Sequence, residues 1–142
     1  MKNFTHRNLK TSLILILFAV LCGCSKDDEQ PTAKEMSIGK WFFVKQTMAD
    51  GSELIAENEC EMKSYSEFDT DDVYTLASFS LDADDVCKGS VETAQYAVVD
   101  QGKSLMFVSP SGQGGKMNIL TLDKTTLELQ STRSGIIMLL EK

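Results

Sequence analysis

The chain has 142 residues with 14 basic and 21 acidic side chains, which give a formal net charge of −7. A chain of this length is expected to form one domain that buries about two thirds of the surface exposed when it is unfolded. The acidic balance argues against nucleic acid as a partner, because the phosphate backbone attracts basic surfaces.

Residues 1–23 have the pattern of a cleavable signal peptide. A basic start precedes an apolar run of nine residues, 13–21, which is too short for a permanent membrane span. The sequence Leu-Cys-Gly-Cys at 21–24 resembles the lipobox of bacterial lipoproteins, in which a small residue precedes the cysteine that receives the lipid. A secreted protein and a single-span anchor are the alternatives.

Cys24 is the predicted lipid-attachment site. Gly23 supplies the small residue before it, whereas cleavage before Cys22 would place Leu21 at that position. An acylated, palmitate-bearing cysteine with several chains anchors a protein stably, because each buried methylene contributes about 0.8 kcal/mol. The membrane is therefore an expected partner, reached through the N-terminal lipid.

Residues 24–37 are predicted to form an acylated flexible tether. A serine, a lysine and three acidic residues occupy positions 25–29. This run resembles the surface-export signal of lipoproteins in one branch of Gram-negative bacteria, and it implies an outer-membrane protein exposed at the cell surface. A periplasm-facing lipoprotein is the alternative, because any tether must be polar to stay solvated. Residues 30–37, which include Pro31, are interpreted as a short flexible linker.

Cleavage of the signal would change the composition of the mature chain. Lys2, Arg7 and Lys10 leave with it and no acidic residue does, so 11 basic and 21 acidic residues remain, a formal charge of −10. The single histidine, His6, leaves too. Ser-His-Asp and Cys-His catalysis and His-bearing zinc sites are thereby excluded. We predict no enzyme activity, no cofactor and no metal site.

Two cysteines, Cys60 and Cys87, remain once Cys22 has been removed and Cys24 acylated. An oxidising compartment favours a disulfide between them. Two separate buried thiols are the alternative, because the sequence does not by itself bring the pair together.

From residue 39 onward, short runs rich in β-branched and aromatic residues alternate with turns that contain Asp or Gly. This pattern predicts an all-β domain of eight strands, at 40–48, 63–68, 73–81, 91–99, 104–109, 116–122, 126–131 and 135–141. Residues 51–60 fit either a short helix or a strand. Eight strands joined by short turns favour an antiparallel up-and-down barrel in which the last strand pairs with the first. An open β-sandwich is the alternative.

The aspartate runs at 69–72 and 82–85 flank the third predicted strand. Neither run has the Asp-x-Asp-x-Asp-Gly spacing of a calcium loop, so both are interpreted as solvated turns.

A family resemblance extends over residues 38–142. It rests on the Gly-Lys-Trp sequence at 39–41 that opens the first strand and on the two cysteines around the second and third strands. It also rests on Tyr96 ahead of a hairpin and on four aliphatic residues near the end of the chain: Ile119, Leu122, Leu127 and Leu129. In these features the chain resembles the lipocalin-like domain of bacterial lipoproteins. The resemblance implies that Trp41 closes one end of the barrel beneath an arginine, for which Arg133 is the candidate, and that a small apolar or amphipathic ligand enters at the other end.

Strand alternation and the resemblance together predict the inward side chains that would line a ligand pocket: Phe43, Phe79, Tyr96, Leu105, Phe107, Ile119, Leu127 and Leu129. The alternative is a barrel whose interior is filled by side chains and which acts as an interaction module for a protein or glycan. The sequence does not identify a protein partner.

Overall fold

The computed structural model describes residues 30–142, and Pro31–Lys142 form one compact unit. It contains nine strands: β1 (Gly39–Thr47), β2 (Glu53–Ile55), β3 (Tyr65–Phe68), β4 (Val73–Leu81), β5 (Cys87–Val99), β6 (Ser104–Val108), β7 (Gly114–Leu122), β8 (Thr126–Ser131) and β9 (Ile137–Glu141). One short α-helix, α1 (Ala33–Ser37), and two 3-10 helices, Glu61–Lys63 and Asp100–Gly102, complete the described part. The predicted signal, Cys24 and the acidic run at 25–29 lie outside the described residues.

Eight of the strands close an antiparallel barrel. β1, β3, β4, β5, β6, β7, β8 and β9 are neighbours in that order, and β9 pairs back onto β1 from Phe42 opposite Glu141 to Thr47 opposite Ile137. Closure leaves none of the eight as a full-length open edge. The predicted barrel and its eight strands are confirmed, and the open sandwich is not formed. The undecided segment 51–60 contains β2, which pairs with the second half of β1.

Two hairpins of the barrel use the same five-residue turn. The sequence Asp-x-Asp-Asp-Val occurs at 69–73 and again at 82–86. In each copy the first aspartate accepts hydrogen bonds from two backbone N–H groups, and the fourth residue has a positive φ, 63° at Asp72 and 58° at Asp85. Aspartate tolerates this conformation better than most residues. The two aspartate runs are therefore turns, as the sequence predicts.

The antiparallel register sorts the strand ends into two groups. β1, β4, β6 and β8 begin at the end where β3, β5, β7 and β9 finish. We call this the closed end, and α1 lies beside it. The opposite, open end carries β2, the 3-10 helix Glu61–Lys63 and the β4–β5, β6–β7 and β8–β9 turns.

The linker predicted at residues 30–37 is wrong for its second half, which forms α1. Thr32 and Glu35 make a capping box, in which each side chain accepts a hydrogen bond from the other residue's backbone N–H. Lys34 forms an ion pair with Asp72 of the β3–β4 turn, which holds α1 to the barrel. No helix within residues 30–142 is long and apolar enough to cross a membrane.

The hydrophobic core occupies the closed half of the barrel. Its buried side chains lie near the strand ends on that side: Trp41, Phe68, Tyr96, Leu105, Leu127, Leu129 and Leu140. The ring centroid of Phe68 is 5.1 Å from that of Tyr74 and 5.1 Å from that of Tyr96. These tilted and edge-to-face contacts add to the energy of burial, and they fill the interior at the closed end.

The predicted disulfide between Cys60 and Cys87 is confirmed, with a Cα–Cα distance of 5.6 Å. Cys87 is the first residue of β5 and is exposed, whereas Cys60 is buried beside the 3-10 helix. The bridge therefore fastens the β1–β3 connection, which includes β2, to the β4–β5 hairpin at the open end.

Replacing both cysteines by serine should destabilise the protein. The bridge spans 27 residues, and in the chain-entropy model its loss costs about 3.5 kcal/mol of unfolding free energy. Urea unfolding followed by circular dichroism should show this loss, and reduction of the unmodified protein should reproduce it. Hydrogen exchange should accelerate first in residues 48–64. Unchanged stability in both experiments would contradict the expected role of the bridge.

Candidate functional site at the open end

The cross-strand register identifies the side chains that face the barrel interior. Trp41 is buried inside the barrel, and its partner on β3 is Ser66, whose partner on β4 is Leu76. Glu92 lies opposite Leu76 on β5. Residues directly opposite one another in an antiparallel sheet share a face. All four side chains therefore lie on the inner face, and Glu92 brings a carboxylate to it.

A cavity of about 260 Å³ lies inside the barrel toward the open end. Residues of β1, β3, β4 and β9 line it, together with Ser64, which precedes β3: Phe43, Gln46, Ser64, Tyr65, Ser66, Leu76, Ser78, Met138 and Leu140. The cavity begins where the packed core ends, because Leu140 belongs to both.

The two sides of this cavity differ in polarity. Phe43, Met138 and Leu140 make the β1 and β9 side largely apolar, although Gln46 of β1 adds an amide there. Ser66 and Ser78, on β3 and β4, place hydroxyl groups on the opposite side. Such a surface suits a ligand that has an apolar body and at least one polar group.

The polar groups near the cavity are held by hydrogen bonds. The hydroxyl oxygens of Ser66 and Tyr74 lie 3.0 Å apart, and the Ser64 hydroxyl accepts a 2.9 Å hydrogen bond from the backbone N–H of Phe79. Burial raises the pKa of Tyr74; its hydrogen bond with Ser66 acts against this rise and the charge of Glu92 adds to it. Tyr74 is therefore neutral near pH 7, and its hydroxyl remains hydrogen-bonded to Ser66.

A lateral cleft of about 490 Å³ adjoins the cavity. Its walls are β2 with the following loop on one side and the 3-10 helix with β4 on the other: Phe43, Gln46, Glu53, Leu54, Ile55, Glu57, Glu61, Ser64 and Phe79. Three of these residues, Phe43, Gln46 and Ser64, also line the cavity. The cleft and the cavity are therefore neighbours that share part of one wall.

The cleft exists because β1 changes partner partway along its length. Its first half pairs with β3, up to Phe42 opposite Tyr65, whereas Lys45 to Thr47 pair with β2. β3 has only four residues and begins short of the open rim. The barrel wall therefore has a side opening between β2 and the β3–β4 side.

Most of the predicted lining residues belong to the core instead of the cavity wall. Seven of the eight face the interior, of which four are buried in the core and three pack against it: Tyr96, Leu105, Leu127 and Leu129, then Phe43, Phe107 and Ile119. Of the eight, Phe43 lines the cavity. The core fills the position predicted for the pocket, and the cavity lies nearer to the open end.

The prediction that Phe79 points inward is wrong. The β4–β5 register is unbroken, so Phe79 shares a face with Ala77, on the side opposite to Leu76. Gly89 lies opposite Phe79, and a Cβ at that glycine would be 2.4 Å from the Phe79 ring. Glycine thus leaves room for the ring on the outer face, and Phe79 is also one of the residues that line the lateral cleft.

Sequence reasoning missed the residues that form the cavity wall on β4 and β9. Leu76 and Ser78 alternate with Tyr74 on β4, and Met138 and Leu140 alternate on β9. The alternation was available as a signal. Placing Phe79 inside, however, assigns the wrong face of β4 to the interior, because one shift in register reverses every side chain of a strand.

At the closed end, Trp41 is completely buried and lies between the core and α1. Its indole Nε1 donates a 2.6 Å hydrogen bond to the carbonyl oxygen of Ser37. The Lys142 ammonium lies 4.2 Å from the centre of the indole ring. The same ammonium donates hydrogen bonds to the carbonyl oxygens of Met36 and Ile38, at 3.3 and 3.0 Å. One cation therefore ties the Trp41 ring to α1.

The prediction that Arg133 covers Trp41 is wrong. Arg133 is exposed in the β8–β9 turn at the open end, because β8 runs from the closed end to the open end. Lys142, which follows β9, returns to the closed end and takes the position over the indole ring. The cation near Trp41 is therefore supplied from the end of β9, not from the turn before it.

Comparison with known proteins agrees with this architecture. A sequence model described as a lipocalin-like domain matches residues 38–129. The fold is similar to that of a lipocalin-like protein from Bacteroides uniformis, with a TM-score of 0.56 and 15% identity over 75% of this chain and 98% of that one. It is also similar to an uncharacterized protein from Bacteroides eggerthii, with a TM-score of 0.53 and 11% identity over 75% and 98%. No curated protein matches the chain.

Substitutions at the closed end should separate the roles of Trp41, Lys142 and Arg133. Trp41→Ala should cost about 3–5 kcal/mol, as loss of a buried aromatic side chain does. Lys142→Ala should cost about 0.5–2 kcal/mol through its cation–π contact and hydrogen bonds, and Arg133→Ala less than about 0.5 kcal/mol. Urea unfolding measures all three. Equal losses for Lys142→Ala and Arg133→Ala would contradict this assignment.

Proposed function

This chain belongs to the lipocalin-like domain family, and from this membership we propose that its barrel binds a small apolar or amphipathic ligand at the open end. The observation that carries the proposal is the cavity of about 260 Å³, whose wall combines apolar side chains such as Phe43, Leu76 and Met138 with the hydroxyls of Ser66 and Ser78 and the amide of Gln46. Barrels of eight strands have room for one small ligand when side chains leave part of the interior unfilled.

The two ends of the barrel indicate how the ligand enters. Trp41 and the core fill the closed end, and α1 covers it. The cavity shares Phe43, Gln46 and Ser64 with the lateral cleft, which is open to the surface. A ligand therefore enters through the open end or between β2 and β4, and its apolar body rests against Phe43 and Met138.

The alternative function is an interaction module for a protein or glycan, built on a filled barrel without a pocket. That alternative requires a filled barrel, whereas a cavity lies between β1, β3, β4 and β9. Binding rather than catalysis is also the usual role of this fold. We therefore favour a ligand-binding lipoprotein over both an interaction module and an enzyme.

The proposal includes a lipid anchor on Cys24 and a position on the outer membrane at the cell surface. Its support is the lipobox-like sequence at 21–24 and the lysine with three acidic residues that follows it. The chain from Cys24 to Thr32 spans at most about 30 Å when fully extended. Since Thr32 caps α1 at the closed end, anchoring would keep that end near the membrane and leave the open end accessible to ligand from the medium.

Filling the cavity should weaken binding of a neutral amphiphile. In Ser78→Trp the new ring would occupy space beside Leu76 on the inner face. We expect the affinity for 1-octanol to fall at least tenfold, or about 1.4 kcal/mol, as measured by calorimetry on the full chain in phosphatidylcholine nanodiscs with empty nanodiscs as the blank. Val91→Trp, on the exposed outer face, is the matched control and should bind normally. Equal binding by both variants would refute the site.

Cys24→Ala should abolish acylation and leave the signal uncleaved, because lipid transfer precedes cleavage at a lipobox. Metabolic labelling with a palmitate analogue measures this, and Cys22→Ala is the control that should retain the label. Continued labelling of the Cys24 variant would disprove the attachment site. In the same cells, alanine at positions 26–29 should keep the label but protect the protein from added protease, and unchanged proteolysis would remove the support for surface export.

A further inference from the structure

The lateral cleft combines apolar side chains with carboxylates. Leu54 and Ile55, which are 57% and 56% exposed, lie beside Phe43 in its wall. Glu57 and Glu61 line the same cleft. Exposed apolar side chains that border a cavity are typical of a ligand surface, so the charges beside them bear on what kind of ligand fits.

The carboxylates of the cleft are incompletely neutralised. Glu53 is paired with Lys45 at 2.6 Å. Within residues 30–142, Glu57 and Glu61 have no lysine or arginine nitrogen within ion-pair distance, and no lysine or arginine lines the cleft. Glu61 instead accepts a 2.9 Å hydrogen bond from the backbone N–H of Glu57, which holds the two residues together.

A further carboxylate lies on the inner face of the barrel. Glu92 is opposite Leu76, one of the residues that line the cavity. Lys88, on the same face of β5, is engaged by Asp82 at 2.6 Å. Among the described residues, Glu92 has no lysine or arginine nitrogen within ion-pair distance, so the inner wall near the open end adds negative charge to that of the cleft.

From this arrangement we propose that the ligand carries a cationic group on an apolar body, as in an alkylamine or a quaternary ammonium amphiphile. The apolar body lies against Phe43, Met138 and Leu140 in the cavity, and the cation lies in the cleft beside Glu57 and Glu61. The inference rests on the proposed binding function and assigns its ligand class.

The same geometry disfavours anionic amphiphiles such as fatty acids. A carboxylate at the mouth would meet Glu57 and Glu61, and the nearby cation among the described residues, Lys45, is already paired with Glu53. Two like charges a few ångströms apart repel each other. At a partly exposed position this repulsion weakens binding by about as much as the attraction between opposite charges would strengthen it. Charge therefore separates ligands that share one hydrocarbon tail.

Three probes with the same eight-carbon tail test the ligand class: octylamine, 1-octanol and octanoate. On the full chain in phosphatidylcholine nanodiscs, with empty nanodiscs as the blank, calorimetry should rank octylamine first and octanoate last. Raising the sodium chloride concentration should weaken octylamine binding and leave octanol binding unchanged, because salt screens exposed charges. This salt comparison uses the unmodified protein and does not depend on the folding of a variant.

A double substitution, Glu57→Gln with Glu61→Gln, tests the proposed position of the cation. The amide keeps the hydrogen-bond acceptor and removes the charge. Octylamine affinity should fall on the order of fivefold or more, whereas octanol affinity should not change. Glu59→Gln is the matched control, because Glu59 is in the same segment but does not line the cleft.

The outcomes separate the ligand class from the binding function. Octanoate binding as tightly as octylamine, or octylamine binding that the double variant does not weaken, would overturn the cationic class while octanol binding upheld the pocket. Failure of all three probes to bind would overturn the proposed function and the ligand class together.

Discussion

The architecture depends on the hydrogen-bonded pairing of β1 with β9. Along one edge β1 follows β9 from Phe42 to Thr47, and this pairing closes the sheet into a barrel. Along its other edge β1 pairs first with β3 and then with β2. The first of these pairings completes the wall around the core, and the second opens the cleft beside it. One strand therefore determines both that the barrel is closed and where its wall is open.

The division between a packed half and an open half follows from the side chains on the inner face. Large apolar residues such as Phe68 and Leu105 face inward near the closed end and fill it. Toward the open end, the inward positions of β4 and β5 carry smaller polar residues, including Ser78 opposite Ser90. Serine side chains are too small to fill the interior of an eight-stranded barrel, and their hydroxyl groups favour contact with polar groups or water. The cavity thus lies where the apolar residues of the inner face give way to serines.

The eight strands of the barrel could be predicted from the sequence, because turn residues and strand alternation are local signals. The disulfide followed from the oxidising compartment expected for the chain, and not from any local pattern. The capping box of Thr32 and Glu35 was also a local signal, although residues 30–37 were interpreted as a linker. The positions of the Phe79 and Lys142 side chains could not be predicted from local signals. The face of Phe79 is fixed by the register of β4 against its neighbours, and the contact of Lys142 with the indole joins residues far apart in the chain. Long-range pairing decides both.

The disulfide connects the fold to the proposed site. It joins Cys60, which lies between the cleft residues Glu57 and Glu61, to the start of β5. Without it, the short β2 has hydrogen bonds to β1 alone, and a strand of three residues contributes little stability by itself. The bridge therefore fixes the cleft wall that carries the carboxylates relative to the β4–β5 hairpin that carries Glu92. A wall held in place before binding reduces the entropy that a ligand must overcome, so the bridge contributes to recognition as well as to stability.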